Sequence, residues 1–227
     1  LGVEVVPEDL ARFVRDRAGG HPQFIEELLK ALIESRALTI ESRRITQMRL
    51  VGQEIALPKT LRGLVASRVA SLEPMQRAVL QAAAALGEPV EATALAKMLG
   101  RPMSTVEGSL GELREKDLLV HTGPSALRFT SPILREVVMD ALTLEASRDM
   151  HAAAAAALES LLSGEPTGEQ AARIAAHLYQ AGSSQRAADY FARSGEERLR
   201  AKQIEAAAKD LARAIELANA EERPPGE

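Results

Sequence analysis

A chain of 227 residues that is 46% hydrophobic but only 3% aromatic, with no Trp, must build its core from Leu, Val, Ile and Ala, a composition that favours closely packed helices over sheets. The absence of Cys excludes disulfides and thiolate zinc sites, and a net charge of −4 weighs against nucleic acid as the main partner. The longest apolar stretches, such as Ala152 to Leu158, are far too short to span a bilayer and no secretory leader is visible, so the expected setting is the cytoplasm, with no membrane partner.

Three modules are expected along the chain, over residues 1–57, 58–131 and 132–227. The first residue is Leu1 rather than Met and a helical pattern begins almost at once, which reads as a piece of a longer protein. A helix from about Pro7 to Ala18 ends at Gly19 and Gly20, which accept left-handed geometry, and Pro22 suits the first turn of the next helix. Phe24, Ile25, Leu28, Leu29, Leu32 and Ile33 recur at helical spacing and form its inward face. On pattern alone, GHPQFIEE is an ordinary helix-turn-helix connection. Leu38, Ile40, Ile45, Met48 and Leu50 around Glu41 to Arg44 then predict a short hairpin or an extended excursion.

In the second module, Pro58 opens a helix bearing Leu61, Leu64, Val65, Val69 and Leu72, and Glu73-Pro74 starts another, with Met75, Val79, Leu80 and Leu86, that stops at Gly87. A short helix from about Ala92 to Leu99 stops at Gly100, and Ser104 with Glu107 predicts a capping box for a helix carrying Val106, Leu110 and Leu113. Two strand-like runs follow around Gly123-Pro124, within Leu118 to Thr130. The last three of these helices and the small hairpin after them describe a winged helix. From Pro132 onward the pattern is helical throughout, over about 132–142, 145–162, 168–181, 184–201 and 203–219. Small and apolar residues (Ala171, Ala175, Leu178 and Tyr179; Ala187, Ala188 and Phe191; Ala207, Leu211, Ala214 and Ile215) stand where helix pairs would cross, as in a tetratricopeptide-type array. The tail from Glu221 to Glu227 is expected to be disordered. The expected fold class is therefore mainly α.

Taken in order, GHPQFIEELLKAL, LPKTLRGLVASRVASLEPMQRAVLQAAAALG, LRFTSPILREVVMDALTLEASRDMHAAAAAALE and AAHLYQAGSSQRAADYF resemble the signal-transduction ATPases with numerous domains, the STAND branch of AAA+ proteins. The resemblance spans nearly the whole chain. It implies a helical lid, a winged helix and a helical-repeat sensor without the nucleotide-binding core that precedes them in that family. Some bacterial members also carry a protein kinase, cyclase or DNA-binding domain. In the family the Gly-x-Pro turn helps the lid close over ADP, a role that carries over to Gly20 and Pro22. The family's ADP-reading His in the F-x-H-x-L pattern is replaced here by Ser131, which as a plain residue would cap the helix begun by Pro132. The resemblance implies weaker or absent ADP locking, and that Ser131→His should tighten ADP binding in a protein with its core.

The residues add their own exclusions. No Gly-Lys pair occurs, so no phosphate cradle of P-loop spacing exists and this chain by itself is expected to be neither an ATPase nor another enzyme; ATP or ADP belongs to a parent protein. His21, His121, His151 and His177 are scattered without paired spacing, and none is read as a metal or catalytic group; His151 and His177 are expected to be buried or half-buried and hydrogen-bonded. From Arg101 to Asp117, three cations face four carboxylates, against a DNA-reading helix. The leading expectation is a regulatory and sensor segment that clamps an upstream ATPase core of the same chain and receives a protein or small-molecule signal through its helical array, in a parent able to form a homo-oligomer. The alternatives are a winged-helix transcriptional regulator, which would bind duplex DNA in a salt-dependent way, and a tetratricopeptide-like interaction scaffold.

Overall fold

The computed structural model describes residues 5–20, 22–34, 36–41, 44–48, 59–123 and 126–221. Among these, eleven α-helices and five short strands follow one another. They are α1 (Glu8–Ala18), α2 (Pro22–Glu34), β1 (Leu38–Glu41), β2 (Arg44–Met48), α3 (Lys59–Ala70), α4 (Pro74–Leu86), β3 (Val90–Glu91), α5 (Ala92–Leu99), α6 (Met103–Glu115), β4 (Leu119–His121), β5 (Ala126–Phe129), α7 (Pro132–Asp140), α8 (Leu144–Ser160), α9 (Gly168–Gln180), α10 (Ser184–Arg200) and α11 (Ile204–Glu221). The protein is thus mainly α-helical. By its contacts it divides into two units, Leu1–Leu80 with Ser109–Ala141 and Gln81–Gly108 with Leu142–Glu227, a division that passes through α4 and α6. Pro58, Leu50 and the stretch 222–227, all named in the sequence reading, lie outside the described residues.

In the first unit, Leu10 and Val14 of α1 and Leu28 and Leu32 of α2 interlock with Ala37 and Leu38, and Phe13, Ile25 and Leu29 pack around them. The apolar stripe of α2 is therefore its inward face, with one correction. Ile33 is 42% exposed, because the stripe has rotated past the core by the last turn of the helix. β1 and β2 pair antiparallel from Leu38 opposite Met48 to Glu41 opposite Arg44, with a bulge at Thr39/Ile40. β4 and β5 also pair antiparallel, Leu119 opposite Phe129 and His121 opposite Leu127. Arg62 of α3 forks onto two carboxylates one turn apart on α7, Glu136 at 2.7 Å and Asp140. The Asp140 hydrogen bond foremost holds the guanidinium above its ordinary value. All three side chains are partly exposed, so the fork orients α3 on α7 more than it stabilises the pair.

Ser104 does not cap α6. The helix already includes Met103, and the Pro102 carbonyl accepts from the Thr105 and Val106 amides at 3.1 and 3.3 Å, so Ser104 lies inside the first turn. A reciprocal capping box does occur in the second unit, at Thr167 and Gln170 at the start of α9. That unit stacks α8, α9, α10 and α11 in chain order, with α5 against α8. Ala155, Ile174, Leu178, Ala187, Ala188 and Leu217 form its centre. Most of the expected crossing residues are buried there, but Ile215 is 61% and Tyr179 38% exposed. Tyr179 instead carries the Arg213 guanidinium 4.5 Å from its ring centroid.

The turns before α10 and α11 are built alike, 20 residues apart. The Gly182 and Lys202 amides donate to the carbonyls of Tyr179 and Leu199 at 3.0 Å each, and those of Ser183 and Gln203 to Leu178 and Arg198 at 2.8 Å each. Gly182 and Lys202 share positive φ, 82° and 60°. Lys202 takes this conformation without being glycine, which costs about 1 kcal/mol locally. At the three-helix junction, Ser194 Oγ shares its one hydrogen between the Gly168 carbonyl at 2.7 Å and Asp210 Oδ2 at 2.5 Å. Arg198 also reaches Asp210, at 3.0 Å.

Candidate functional site

The first unit brings the Gly19-Gly20 turn and Ser131 to one place. α1 ends in left-handed geometry at Gly19, with φ 60° and ψ 21°, and the Gly19 amide donates to the Arg15 carbonyl at 2.9 Å. Gly20 continues at φ 79°, and α2 begins at Pro22, where a missing N–H costs the helix nothing. Gly19 is tied down by more than its φ. A Cβ placed there would stand 1.6 Å from the Thr130 carbonyl oxygen, so the backbone between β5 and α7 occupies the space of a side chain. At Gly20 nothing would meet such an atom within 4 Å, and only the backbone conformation calls for glycine.

Ser131 completes the seat. Its Oγ accepts from the Ile133 amide at 3.2 Å, capping α7 as its sequence suggests, and donates to the Arg17 carbonyl at 2.7 Å. Arg17 lies in the last turn of α1, where helical carbonyls lack amide partners, so one hydroxyl joins the exposed carbonyls of one helix to the amides of another. Ser131 is 0% exposed. Thr130 is anchored beside it, its Oγ1 donating to the Asp117 carbonyl at 2.9 Å and its amide to the Leu118 carbonyl at 3.1 Å. The sequence shows the cap but not its partner, 114 residues away. This changes the expectation for Ser131→His. An imidazole has no room in the seat without parting α1 from α7, so its first effect is lost stability. Ser131→Ala should remove both bonds and leave the Arg17 carbonyl bare, for a cost of about 2 kcal/mol. Chemical denaturation followed by circular dichroism measures it.

Beside the turn, Val6, Leu10, Ala11, Val14, Ile25 and Leu29 line a cavity of about 300 Å³ together with Gly20 and Arg15, which is the only charged residue among its described lining residues. Of the three residues singled out from the sequence, Gly20 borders this cavity, Ser131 lies in the seat, and Pro22 is exposed at the start of α2 without lining the cavity. Arg15 was missed, because a basic residue in a last helical turn is explained well enough by the helix dipole. Gly19, in the sequence, signals only a helix stop.

A second opening, about 390 Å³, lies between the end of α6 and β4 and is lined by Gly111, Arg114, Glu115, Asp117, Leu119, Val120 and His121. Its charges are mixed. Among the described residues no group of three or more His, Asp or Glu could hold a metal ion. The histidines are less scattered than their spacing suggests. His177 is buried, His151 half-buried, and their Nδ1 atoms meet at 3.0 Å, whereas His21 lies outside the described residues. No helix among the described residues is long and apolar enough to cross a membrane.

By fold and site this is a mainly helical protein in which a glycine turn is seated on the start of a distant helix. Two family models match it, each described as a domain of unknown function: DUF8739 over residues 1–45 and DUF8462 over residues 62–138. The first match covers α1, α2 and the hairpin as far as Ile45, and the second runs from Arg62 to Val138, so Gly19 falls in one and Thr130 and Ser131 in the other. No curated protein and no solved structure matches the chain.

Proposed function

We propose that this chain is the regulatory and sensor segment of a STAND-type signalling ATPase, with residues 1–57 as lid, 58–131 as winged helix and 132–227 as a tetratricopeptide-like array. The observation that carries this reading is the seat of the Gly19 turn on Thr130 and Ser131. It fastens the helix pair bearing the Gly-x-Pro turn to the position that corresponds to the family's nucleotide-reading residue. A lid joined in that way moves with α7 as one piece, and α7 is followed directly by α8 of the helical stack.

ADP fits the residues present only in part. The apolar cavity beside Gly20 suits the face of a purine ring, and Arg15 in its lining suits an electron-rich edge, but none of its described lining residues cradles phosphates. Phosphate binding is therefore assigned to an upstream core. With Ser131 committed to Arg17 and Ile133, the segment supplies a clamp by shape and apolar contact rather than a charged reporter of ADP.

The test is calorimetric titration of ADP and ATP into a parent protein that joins this segment to its proposed ATPase core, beside the same protein carrying Arg15→Ala, whose guanidinium lines the cavity. Tight ADP binding weakened about tenfold by the substitution is expected. The absence of a P-loop upstream, or the absence of binding in both proteins, overturns the reading in favour of an interaction scaffold.

A further inference from the structure

His151 on α8 and His177 on α9 meet Nδ1 to Nδ1 at 3.0 Å, their rings tilted by 37° with centroids 5.2 Å apart. A nitrogen–nitrogen hydrogen bond of that length needs one N–H and one lone pair, so one ring carries its proton on Nδ1 and the other keeps Nδ1 bare. We propose that this pair is a proton-sensitive bolt between α8 and α9, closed while the two rings hold at most one extra proton and opened when both become imidazolium. The first extra proton is tolerated. It goes to Nε2 of the donor ring and leaves the N–H···N bond intact. A second must land on the bare Nδ1, which removes the only lone pair and sets two cations side by side in a half-buried place.

The charged groups around the pair leave that count unchanged. Arg148 lies one turn before His151 on α8. Arg173 lies one turn before His177 on α9, and its guanidinium reaches the Pro89 carbonyl at 3.1 Å. The one charged residue of α5, which packs on α8, is Lys97, and the segment holding Pro89 brings Glu88. On α10, which packs on α9, Arg186 pairs with Glu159 and Arg193 with Glu165, while Asp189 is exposed. Lys97, Arg148 and Arg173 outnumber the exposed carboxylates of Glu88 and Asp189, a balance that does not favour a doubly charged histidine pair.

The sign follows from counting protons. In an unfolded chain each histidine takes up a proton near pH 6.5, so in mild acid the unfolded chain binds one proton more than the folded pair allows. The bolt's contribution is fully present above about pH 7 and is lost as the pH falls. Below about pH 6 the folding equilibrium constant of this unit drops by up to about tenfold per pH unit.

The chain has two tyrosines, Tyr179 on α9 and Tyr190 on α10, and no Trp, so tyrosine fluorescence during urea unfolding reports this unit alone. The measurement compares the wild-type chain with His151→Gln/His177→Gln at pH 7.5, 6.0 and 5.0; His21 and His121 are present in both and cancel. A tenfold loss per pH unit in the wild type, absent from the variant, is expected, and parallel profiles would overturn the proposal. Should the variant fold poorly, imidazole nitrogen NMR of the wild type at pH 5.5 decides instead. One charged and one neutral ring supports the bolt; two charged rings with undiminished amide protection in α8 and α9 refutes it.

Discussion

Gly19→Ala is expected to destabilise the first unit by about 3 kcal/mol, while Gly20→Ala, one residue on, should cost only about 1 kcal/mol. Both positions have positive φ, so each substitution meets the left-handed penalty of about 1 kcal/mol. They differ in surroundings. The added Cβ at Gly19 would overlap the Thr130 carbonyl oxygen at 1.6 Å, and backbone cannot swing aside as the end of a side chain can. Relief comes only by parting the end of α1 from the start of α7, which breaks the Ser131–Arg17 bond and exposes two backbone carbonyls, for roughly 2 kcal/mol more. Urea unfolding followed by circular dichroism gives the two costs, and hydrogen exchange locates them. Protection should fall in the last turn of α1 and the first of α7 for Gly19→Ala but not for Gly20→Ala. Equal costs at the two positions would show that the seat is not formed in solution.

Asp210→Ala should cost about 3 kcal/mol in the second unit, more than its place on a terminal helix suggests. Asp210 is 8% and Ser194 0% exposed, and the carboxylate takes both the Ser194 hydroxyl and the Arg198 guanidinium. Removing it leaves a mostly buried cation without its partner, the expensive way to break an ion pair. α9 is drawn in as well, since Ser194 also reaches the Gly168 carbonyl. Gly168 is small for a reason, because a Cβ there would stand 2.7 Å from Arg198 Cγ. Asp210→Asn keeps an acceptor for Ser194 and should cost roughly half as much. Tyrosine fluorescence under urea measures both. Little loss for Asp210→Ala would mean that Arg198 reaches water easily and the junction is not a closed network. Sodium chloride at 1 M should change the wild-type value only slightly, since burial limits screening.

Local order was largely legible in the chain. Spacing of Leu28, Leu32 and their neighbours, proline at Pro22, Pro74 and Pro132, and glycine at Gly19, Gly87 and Gly100 place most helices within about two residues of where they lie, because these signals act within a turn of helix. The capping box misplaced at Ser104 and found at Thr167 shows the limit, since the same four-residue pattern forms a cap only where the chain enters from outside the helix. The kinship of the turns at Gly182 and Lys202 was hidden by the exchange of glycine for lysine, and only the shared backbone geometry shows it.

What the sequence by itself determined is the helical class, the order of the helices and the cap at Ser131, all consequences of interactions between residues a few positions apart. Tertiary structure alone decided that the Arg17 carbonyl meets Ser131, that Gly19 yields its side-chain space to Thr130, that His151 finds His177, and that Leu1–Leu80 groups with Ser109–Ala141. Each of these joins residues 26 or more positions apart, where no periodicity or dipeptide carries a signal. The pairing there follows from which apolar faces can be buried together, and the polar contacts take the partners that packing leaves within reach.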